Sequence, residues 1–311
     1  MELCLMIEGQ EGVTWPQWLA LARACEAHGV GALFRSDHYA NLDGLHPERG
    51  ALDAWATLAA LAASTTTLRL GTMVSPVTFR HPSQLARVVV TVDHVSGGRV
   101  ELGLGAGWHE AEHRAHGFPF PEPSVRMDML KEQLQVIVGS WTQAPFSFVG
   151  DHYTLRDLDA QPRPVQRPHP PLIVGGEGGP RSLALAAAYA DEYNTAFATP
   201  ERARSLKAAL AAACERVGRE QLPLSVMTGM LVGEDEAELR RRAVALERLA
   251  GIPDPVRNPP SGWIVGTSER ACEQLAALRD AGVARVMCQH LLHEDLDAVA
   301  LIGERLAPAV S

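Results

Sequence analysis

Cysteines are few in this sequence, and none of them forms a Cys-x-x-Cys pair. The five cysteines are scattered along the chain, at Cys4, Cys25, Cys214, Cys272 and Cys288. An odd number of widely spaced thiols does not build a disulfide framework, and it is typical of reduced cysteines inside a cell. We therefore expect a cytoplasmic protein without a disulfide framework.

Long apolar segments and runs of basic residues are also missing. No uninterrupted apolar stretch has the length that a bilayer-spanning helix needs. The N-terminus has no basic region before an apolar core, so no signal peptide is predicted. The net charge of −9 at pH 7 disfavours nonspecific binding to nucleic acid. We therefore expect neither membrane nor nucleic acid as a partner, and a small molecule as the substrate.

What the sequence does have is an ordinary globular composition. Hydrophobic residues make up 46% of the chain and charged residues 21%, which is the balance of a soluble protein with a packed core. A length of 311 residues exceeds the usual single core, but α/β barrels reach this size as one domain. We therefore predict a single domain over residues 1–311.

Eight short apolar runs alternate with longer helical patterns. The predicted strands cover residues 3–7, 32–34, 68–73, 100–104, 172–174, 192–194, 224–232 and 284–288. Between the fourth and fifth strands, an insertion at about residues 118–170 contains a helical pattern and a predicted hairpin, 146–149 with 152–155. Eight strand–helix units predict an α/β fold, a (β/α)8 TIM barrel. A doubly wound open sheet is the alternative that strand count alone leaves open.

Two groups of glycines follow predicted strands, at the end where barrel enzymes bind their ligands. After the fourth strand, Gly103, Gly105 and Gly107 occupy alternate positions, with Trp108 directly behind them. Glycine has no Cβ, so the backbone can come close to a bound molecule, and the indole indicates a wall beside a flat ligand. The alternative is a tight turn before a helix.

The second glycine-rich turn, Gly175–Arg181, leads from the fifth strand into a helix. A helix N-terminus offers unpaired N–H groups and the positive end of the dipole, which suits a phosphate group. Arg181 can add a charge-assisted hydrogen bond. The alternative is a loop whose glycines serve only to allow positive φ angles.

His38, with Asp37 beside it, ends the second predicted strand. An imidazole changes its protonation near neutral pH, so His38 is a candidate proton donor or acceptor. The alternative is a pair of residues that cap or form a turn.

The segment His109-Glu110-Ala111-Glu112-His113 matches the His-Glu-x-x-His pattern of zinc hydrolases. On one helix, His109 and His113 would share a face and bind the metal. However, the segment begins directly after the glycines, so His109 lies in or before the first turn of its helix. Zinc is therefore the lesser hypothesis, no metal site is predicted, and His113 and His116 are expected on a helix surface.

Six pieces of the sequence, in order over nearly the whole chain, carry a family resemblance: residues 33–38, 70–75 with 79–82, 99–108, 148–155, 172–183 with 190–191, and 282–287. On these pieces the sequence resembles the luciferase-like monooxygenase superfamily. Within it, the sequence is similar to the branch that uses the deazaflavin coenzyme F420. Relatives that use FMN share most of the same pieces.

The resemblance implies a barrel whose mouth holds the flavin-like ring. Asp37 and His38 would lie near the reactive end of the ring. Met73, Val74 and Ser75 would form a bulge beneath the ring, where relatives often have a non-proline cis peptide. The remaining implied contacts are Ala106 and Gly107 along the ring, Gly176, Gly178, Gly179, Arg181 and Ser182 at the phosphate, and Tyr39, Phe79 and Trp108 at the substrate.

The implied function is hydride transfer between C5 of the deazaflavin and a small, apolar organic substrate, with His38 as the proton donor or acceptor. Trp108 and, approximately, Leu42 stand where the family's sugar-phosphate dehydrogenase has a catalytic glutamate and a tryptophan, so glucose 6-phosphate is not the expected substrate. The alternative is an FMN-dependent monooxygenase that works with a separate flavin reductase. A homodimer is expected.

Overall fold

The computed structural model describes residues 1–42, 46 and 48–311. In chain order, its strands are β1 (Glu2–Ile7), β2 (Ala32–Arg35), β3 (Arg69–Thr72), β4 (Ser75–Pro76), β5 (Val100–Gly105), β6 (Phe146–Val149), β7 (Thr154–Leu158), β8 (Leu172–Gly175), β9 (Glu192–Ala196), β10 (Leu224–Gly233), β11 (Ile264–Thr267) and β12 (Val283–Gln289).

The helices, in the same order, are α1 (Trp15–His28), α2 (Ala54–Ser64), α3 (Pro82–Ser96), α4 (Glu110–His116), α5 (Pro123–Thr142), α6 (Pro180–Tyr189), α7 (Pro200–Arg216), α8 (Glu236–Ala250), α9 (Ser268–Asp280), α10 (Leu296–Leu301) and α11 (Ala307–Val310). A π-helical segment, Ile302–Leu306, joins the last two helices. In the described part of the chain, none of these helices is both long and apolar enough to cross a membrane.

Eight parallel strands close into a ring within the described residues. Their order is β1, β2, β3, β5, β8, β9, β10 and β12, and β12 pairs with β1 to complete the ring. Each strand has neighbours on both sides, and its outer face is covered by helices. The predicted TIM barrel is confirmed, and the open sheet is wrong.

Two short strands and one hairpin are additions to the ring. β4 pairs with the end of β5, and β11 pairs with Met230–Gly233, the part of β10 that extends past the ring. The sequence analysis missed β11 because its four residues run directly into α9 without a turn signal between them. The predicted hairpin forms from β6 and β7. In the predicted insertion, α5 packs against α3 and α6 and so belongs to the outer ring of helices.

Charged side chains fill the barrel at the amino ends of its strands. Arg285 lies 3.0 Å from Glu101 and 3.5 Å from Glu192, and its guanidinium stands 5.0 Å from the centre of the Phe34 ring. Arg69 pairs with Glu101 at 2.6 Å. Buried charges need partners of this kind because desolvation penalises an isolated ion. This end of the barrel is therefore closed by protein, and ligand access is left to the opposite end.

Val74 fills the space that glycines leave inside the barrel. A Cβ at Gly105 would stand 2.7 Å from Val74 Cγ2, and a Cβ at Gly175 would stand 2.9 Å from Val74 Cγ1. At Gly103, an added Cβ would overlap the carbonyl oxygen of Thr72. Gly103 and Gly105 therefore make room for the residues at the end of β3 and not for a ligand. This corrects the expectation that these two glycines let a bound molecule approach.

We predict that Gly103→Ala destabilises the fold. The added methyl group meets a backbone carbonyl that is fixed in the sheet, and overpacking of this kind costs about 1–3 kcal/mol or more. Urea unfolding followed by tryptophan fluorescence measures the change. Gly31→Ala is the control, because the nearest atom to its new Cβ is Glu2 Oε1 at 3.7 Å. Equal midpoints for the two variants would show that β5 tolerates a side chain here.

Candidate active site

The predicted site residues meet on one rim, formed by the carboxyl ends of neighbouring strands. Asp37 and His38 follow β2, Val74 and Ser75 follow β3, and Trp108 follows β5. Ser75 Oγ donates a 2.6 Å hydrogen bond to Asp37 Oδ2, which ties the β3 end to the β2 end. Because Val74 also packs beside β5 and β8, the rim is continuous from His38 to the second glycine turn.

His38 is held by a carboxylate that the sequence analysis did not assign. Its Nδ1 lies 2.7 Å from Oε2 of Glu112, a fully buried side chain on α4. The other oxygen, Oε1, accepts the backbone N–H groups of Tyr39 and Ala40, the latter at 3.0 Å. A carboxylate only accepts, so Nδ1 of His38 carries the hydrogen of this bond. The exchangeable position of the imidazole is therefore Nε2.

The surroundings of His38 favour its protonated form. Burial by itself lowers the pKa of His38, but the hydrogen bond and the charge of Glu112 outweigh burial, and the net pKa is raised. For the Glu112 carboxyl, burial raises the pKa. The hydrogen bonds from His38, Tyr39 and Ala40 outweigh burial and bring its net pKa below the usual value. The pair is therefore an imidazolium and a carboxylate over a wider pH range than two isolated groups would be.

Asp37 belongs to a separate charge network. Its Oδ2 accepts from Arg80 Nη1 at 2.5 Å, and Arg80 Nη2 also contacts Asp53 at 2.8 Å. Among the described residues, the second oxygen of Asp37, Oδ1, is buried and has no hydrogen-bond partner. A buried acceptor without a donor is costly. Asp37 Oδ1 therefore marks the rim as a place where a donor from a ligand fits.

The bulge implied at the β3 end is present. The Met73–Val74 peptide is cis, as the resemblance predicted. Met73 packs inside the barrel with Met6, Phe34 and Met287, so these apolar side chains form the floor of the mouth. On the β5 side, Ala106 is partly buried and Gly107 has a positive φ of 80°.

The second glycine turn leads directly into α6. Gly178 has a φ of +76°, and its N–H donates to the Tyr193 hydroxyl at 2.8 Å. The Ser182 hydroxyl lies 3.0 Å from the same oxygen. The first hydrogen bond inside the helix runs from Leu183 N to Gly179 O at 3.1 Å. The N–H groups of Gly179, Arg181 and Ser182 precede this bond at the helix N-terminus and are therefore placed for an external acceptor.

Around this turn, Gly179 faces open space, while Gly176 and Arg181 are engaged with the protein. Among the described residues, no atom beyond its two chain neighbours lies within 4 Å of a Cβ built on Gly179. Gly176 N–H donates to Asn194 O at 3.0 Å. The Arg181 guanidinium pairs with Asp128 of α5 at 2.5 Å, and its side chain is half exposed. Arg181 can contact a phosphate only if its ion pair with Asp128 opens or if the guanidinium binds both groups. Its role at a phosphate therefore stays a prediction.

The three predicted substrate residues fall into two places. Trp108 is 63% exposed, and its ring centre lies 5.8 Å from that of His38, edge to face. Tyr39 and Phe79 instead pack on each other at 5.3 Å and on Phe118 beside α4. The structure therefore brings Trp108 to the imidazole and leaves the other two in an adjoining aromatic cluster.

The zinc-like motif has a structural use. His113 is buried, its Nε2 lies 2.6 Å from Thr78 Oγ1, and its Nδ1 lies 2.7 Å from His109 O. The expected surface position of His113 is therefore wrong, whereas His116 is exposed. Both ring nitrogens of His113 are engaged, so the geometry gives the zinc hypothesis no support.

Two further histidines, His290 and His293, follow β12 and are buried. Among the described residues, neither Nε2 atom has a hydrogen-bond partner. Burial lowers the pKa of His290 to about 4 and that of His293 to about 3. Both imidazoles are therefore neutral in the folded protein near pH 7.

Comparisons with known proteins agree with this geometry. The family model for luciferase-like monooxygenases matches residues 4–259. The chain is 30% identical over 317 residues to the F420-dependent glucose-6-phosphate dehydrogenase of Nakamurella multipartita, a match that covers 93% of this chain and 90% of that relative. It is 26% identical over 284 residues to the FMNH(2)-dependent dimethylsulfone monooxygenase of Pseudomonas putida, with 81% and 76% covered.

A solved structure shows the same fold. An F420-dependent secondary alcohol dehydrogenase in complex with an F420-acetone adduct superposes with a TM-score of 0.83. The superposition covers 100% of this chain and 99% of that one at 21% sequence identity.

The buried His290 predicts an acid-sensitive fold. The pKa of His290 in the folded protein lies below the ordinary 6.5, so as the pH falls the unfolded chain binds a proton before the folded protein does. The stability that the neutral His290 contributes is therefore full above pH 6.5 and is lost as the pH falls towards about 4. We expect the loss between about pH 7 and 5 to be about 2 kcal/mol smaller in His290→Gln than in the original chain. Urea unfolding at the two pH values measures it. His152→Gln, at an exposed histidine, is the control, and an equal effect there would contradict the assignment.

Proposed function

The chain belongs to the luciferase-like monooxygenase family, and we propose that it is an F420-dependent oxidoreductase acting on a small, apolar organic substrate. The observation that carries this proposal is the contact of the partly buried His38 with the buried Glu112, 2.7 Å apart on the barrel rim beside an exposed Trp108. Two similar proteins carry F420 in their names, a dehydrogenase of sugar phosphate and one of secondary alcohols. Their dependence on F420 supports the choice of cofactor here.

The rim fits a flat redox cofactor with a phosphate group. The N-terminus of α6, open at Gly179, would hold the phosphate with its N–H groups and dipole. Asp37 Oδ1, buried and unpartnered among the described residues, would accept a hydrogen bond from the ring. Met73 and Val74 would support the ring from below, and Ala106 and Gly107 would lie alongside it. When bound, the deazaflavin supplies or accepts a hydride at C5.

His38 would move the proton that accompanies the hydride. Its Nδ1 is fixed by Glu112, so Nε2 is the atom that gives a proton when substrate is reduced or takes one when substrate is oxidised. Trp108, edge to face with the imidazole, would cover the reacting atoms and keep water out. The protein therefore contributes orientation, proton transfer and an apolar wall.

Trp108 also bears on the kind of substrate. An exposed indole at the mouth offers an apolar surface and no charge to a bound molecule. In the sugar-phosphate dehydrogenase that the sequence resembles, this place belongs to a catalytic glutamate. We therefore propose an apolar ketone, alcohol or activated alkene in preference to a sugar phosphate.

An FMN-dependent monooxygenase that works with a separate flavin reductase is the second candidate. The similarity to the dimethylsulfone monooxygenase of Pseudomonas putida favours it. FMN also carries a phosphate and a tricyclic ring, so the same rim residues would hold it. The two candidates differ in the cofactor that binds more tightly.

We predict that His38→Asn slows turnover far more than it weakens cofactor binding. A positioned proton donor contributes about 10²- to 10⁴-fold, whereas the asparagine amide can still donate to Glu112 and keep the rim in place. Oxidation of reduced F420 with cyclohexenone as acceptor measures turnover, and fluorescence titration measures the F420 dissociation constant. Equal losses in the two quantities would contradict the catalytic role.

A carboxylate at the α6 N-terminus should displace the phosphate. Gly179 has ordinary extended backbone angles and open space around its Cβ position, so Gly179→Asp is compatible with the fold and acts as a helix cap. We expect its affinity for the cofactor to fall at least about tenfold, since the new charge repels the phosphate. Gly179→Ser is the matched control, with near-normal affinity. Unchanged binding in the aspartate variant would place the phosphate elsewhere.

A further inference from the structure

We propose that Glu112 is the positioning residue that keeps His38 charged and aimed, so that the resting enzyme already holds the proton that its substrate receives. This inference rests on the proposed function, because it assigns the direction in which His38 works. It also gives a role to the second glutamate of the zinc-like motif, the one next to His113. Glu112 itself faces no substrate and acts through the imidazole.

Several hydrogen-bond donors surround one buried carboxylate. Glu112 is fully buried and accepts three hydrogen bonds, from His38 Nδ1 and from the backbone N–H groups of Tyr39 and Ala40. A buried carboxylate is expensive unless it is hydrogen-bonded and paired with a positive charge. The two backbone bonds stabilise the carboxylate, and an imidazolium supplies the charge.

The same carboxylate holds both the ring of His38 and the loop that follows it. Oε2 fixes the ring of His38, and Oε1 fixes the two backbone amides that follow it. The ring therefore cannot turn away from the rim without breaking a bond to the group that also anchors its own loop. Trp108 lies just before α4, and α4 carries Glu112. The same short segment therefore positions both the indole wall and the proton donor His38.

The charged groups around His38 leave Glu112 as its partner. The negative groups that act on it are Glu112 on α4, Asp37 beside it and Glu8 after β1, and His109 is the neighbouring base. Asp37 is already paired with Arg80 at 2.5 Å. Glu8 is hydrogen-bonded to two glutamine amides. Among these groups, Glu112 is the one in contact with the imidazole.

The proton step follows from this arrangement. With a bound reduced deazaflavin to supply the hydride for the substrate carbon, the Nε2–H bond of His38 would break and its proton would join the neighbouring substrate atom. The imidazole is then neutral, with its Nδ1–H still bonded to Glu112, and solvent returns a proton to Nε2. Reduction therefore needs the charged form of His38, and oxidation of an alcohol needs the neutral form, so the raised pKa of His38 extends the pH range of reduction upward.

The test compares Glu112→Gln with Glu110→Gln, which removes the same charge from an exposed position on the same helix. Nitrogen-15 NMR of labelled histidines, without cofactor, gives the tautomer and pKa of His38, and the His38→Asn variant identifies its signals. In the original chain we expect a neutral form with hydrogen on Nδ1 and a raised pKa. In Glu112→Gln we expect the pKa to fall by about one pH unit or more and hydrogen to appear on Nε2. Glu110→Gln should match the original chain.

The pH profile of turnover is the second readout. For reduction of cyclohexenone by reduced F420, the turnover rate should decline at high pH as His38 loses its proton. In Glu112→Gln this decline should move to lower pH by as much as the pKa measured by NMR falls, with KM nearly unchanged. An original chain whose neutral His38 carries its hydrogen on Nε2, or whose His38 has an ordinary pKa, overturns the proposal even if the variant fails to fold. The expected NMR result without any F420 turnover would instead refute the proposed function and leave the role of Glu112 in holding His38 supported.

Discussion

The packing of Val74 against glycines of two neighbouring strands determines the shape of the barrel mouth. Because Gly105 and Gly175 have no side chains, the chain after β3 turns into the barrel and brings Ser75 within 2.6 Å of Asp37. That contact connects the apolar floor to the residues after β2. The rim that presents His38 therefore depends on a steric fit inside the sheet, made before any ligand binds.

Two adjacent acidic groups on this rim have different partners and so different uses. Asp37 is bound to Arg80, while Glu112 is bound to His38. Asp37 Oδ2 accepts from Arg80 and from Ser75, and the imidazole pairs with the carboxylate of α4. The arrangement separates a structural ion pair from a pair whose proton can leave, which is the division of roles that proton transfer beside a cofactor requires.

The sequence allowed the barrel and the location of its rim to be predicted, because strand–helix alternation and strand-end residues are local patterns. The partner of His38 was not predictable in this way, since Glu112 lies 74 residues further along the chain. The motif around it pointed to zinc, and only packing shows that His113 faces inward to Thr78. Likewise, the glycines of β5 looked ligand-facing because the neighbouring Val74 fills them only in three dimensions.

The identity of the cofactor determines both the direction of electron flow and the need for a separate reductase. The most direct measurement is a fluorescence titration of the purified chain with F420 and, separately, with FMN. We predict that F420 binds at least about tenfold more tightly than FMN, a difference in binding free energy of about 1.4 kcal/mol. Tighter binding of FMN would contradict it and would assign the same rim to a flavin monooxygenase.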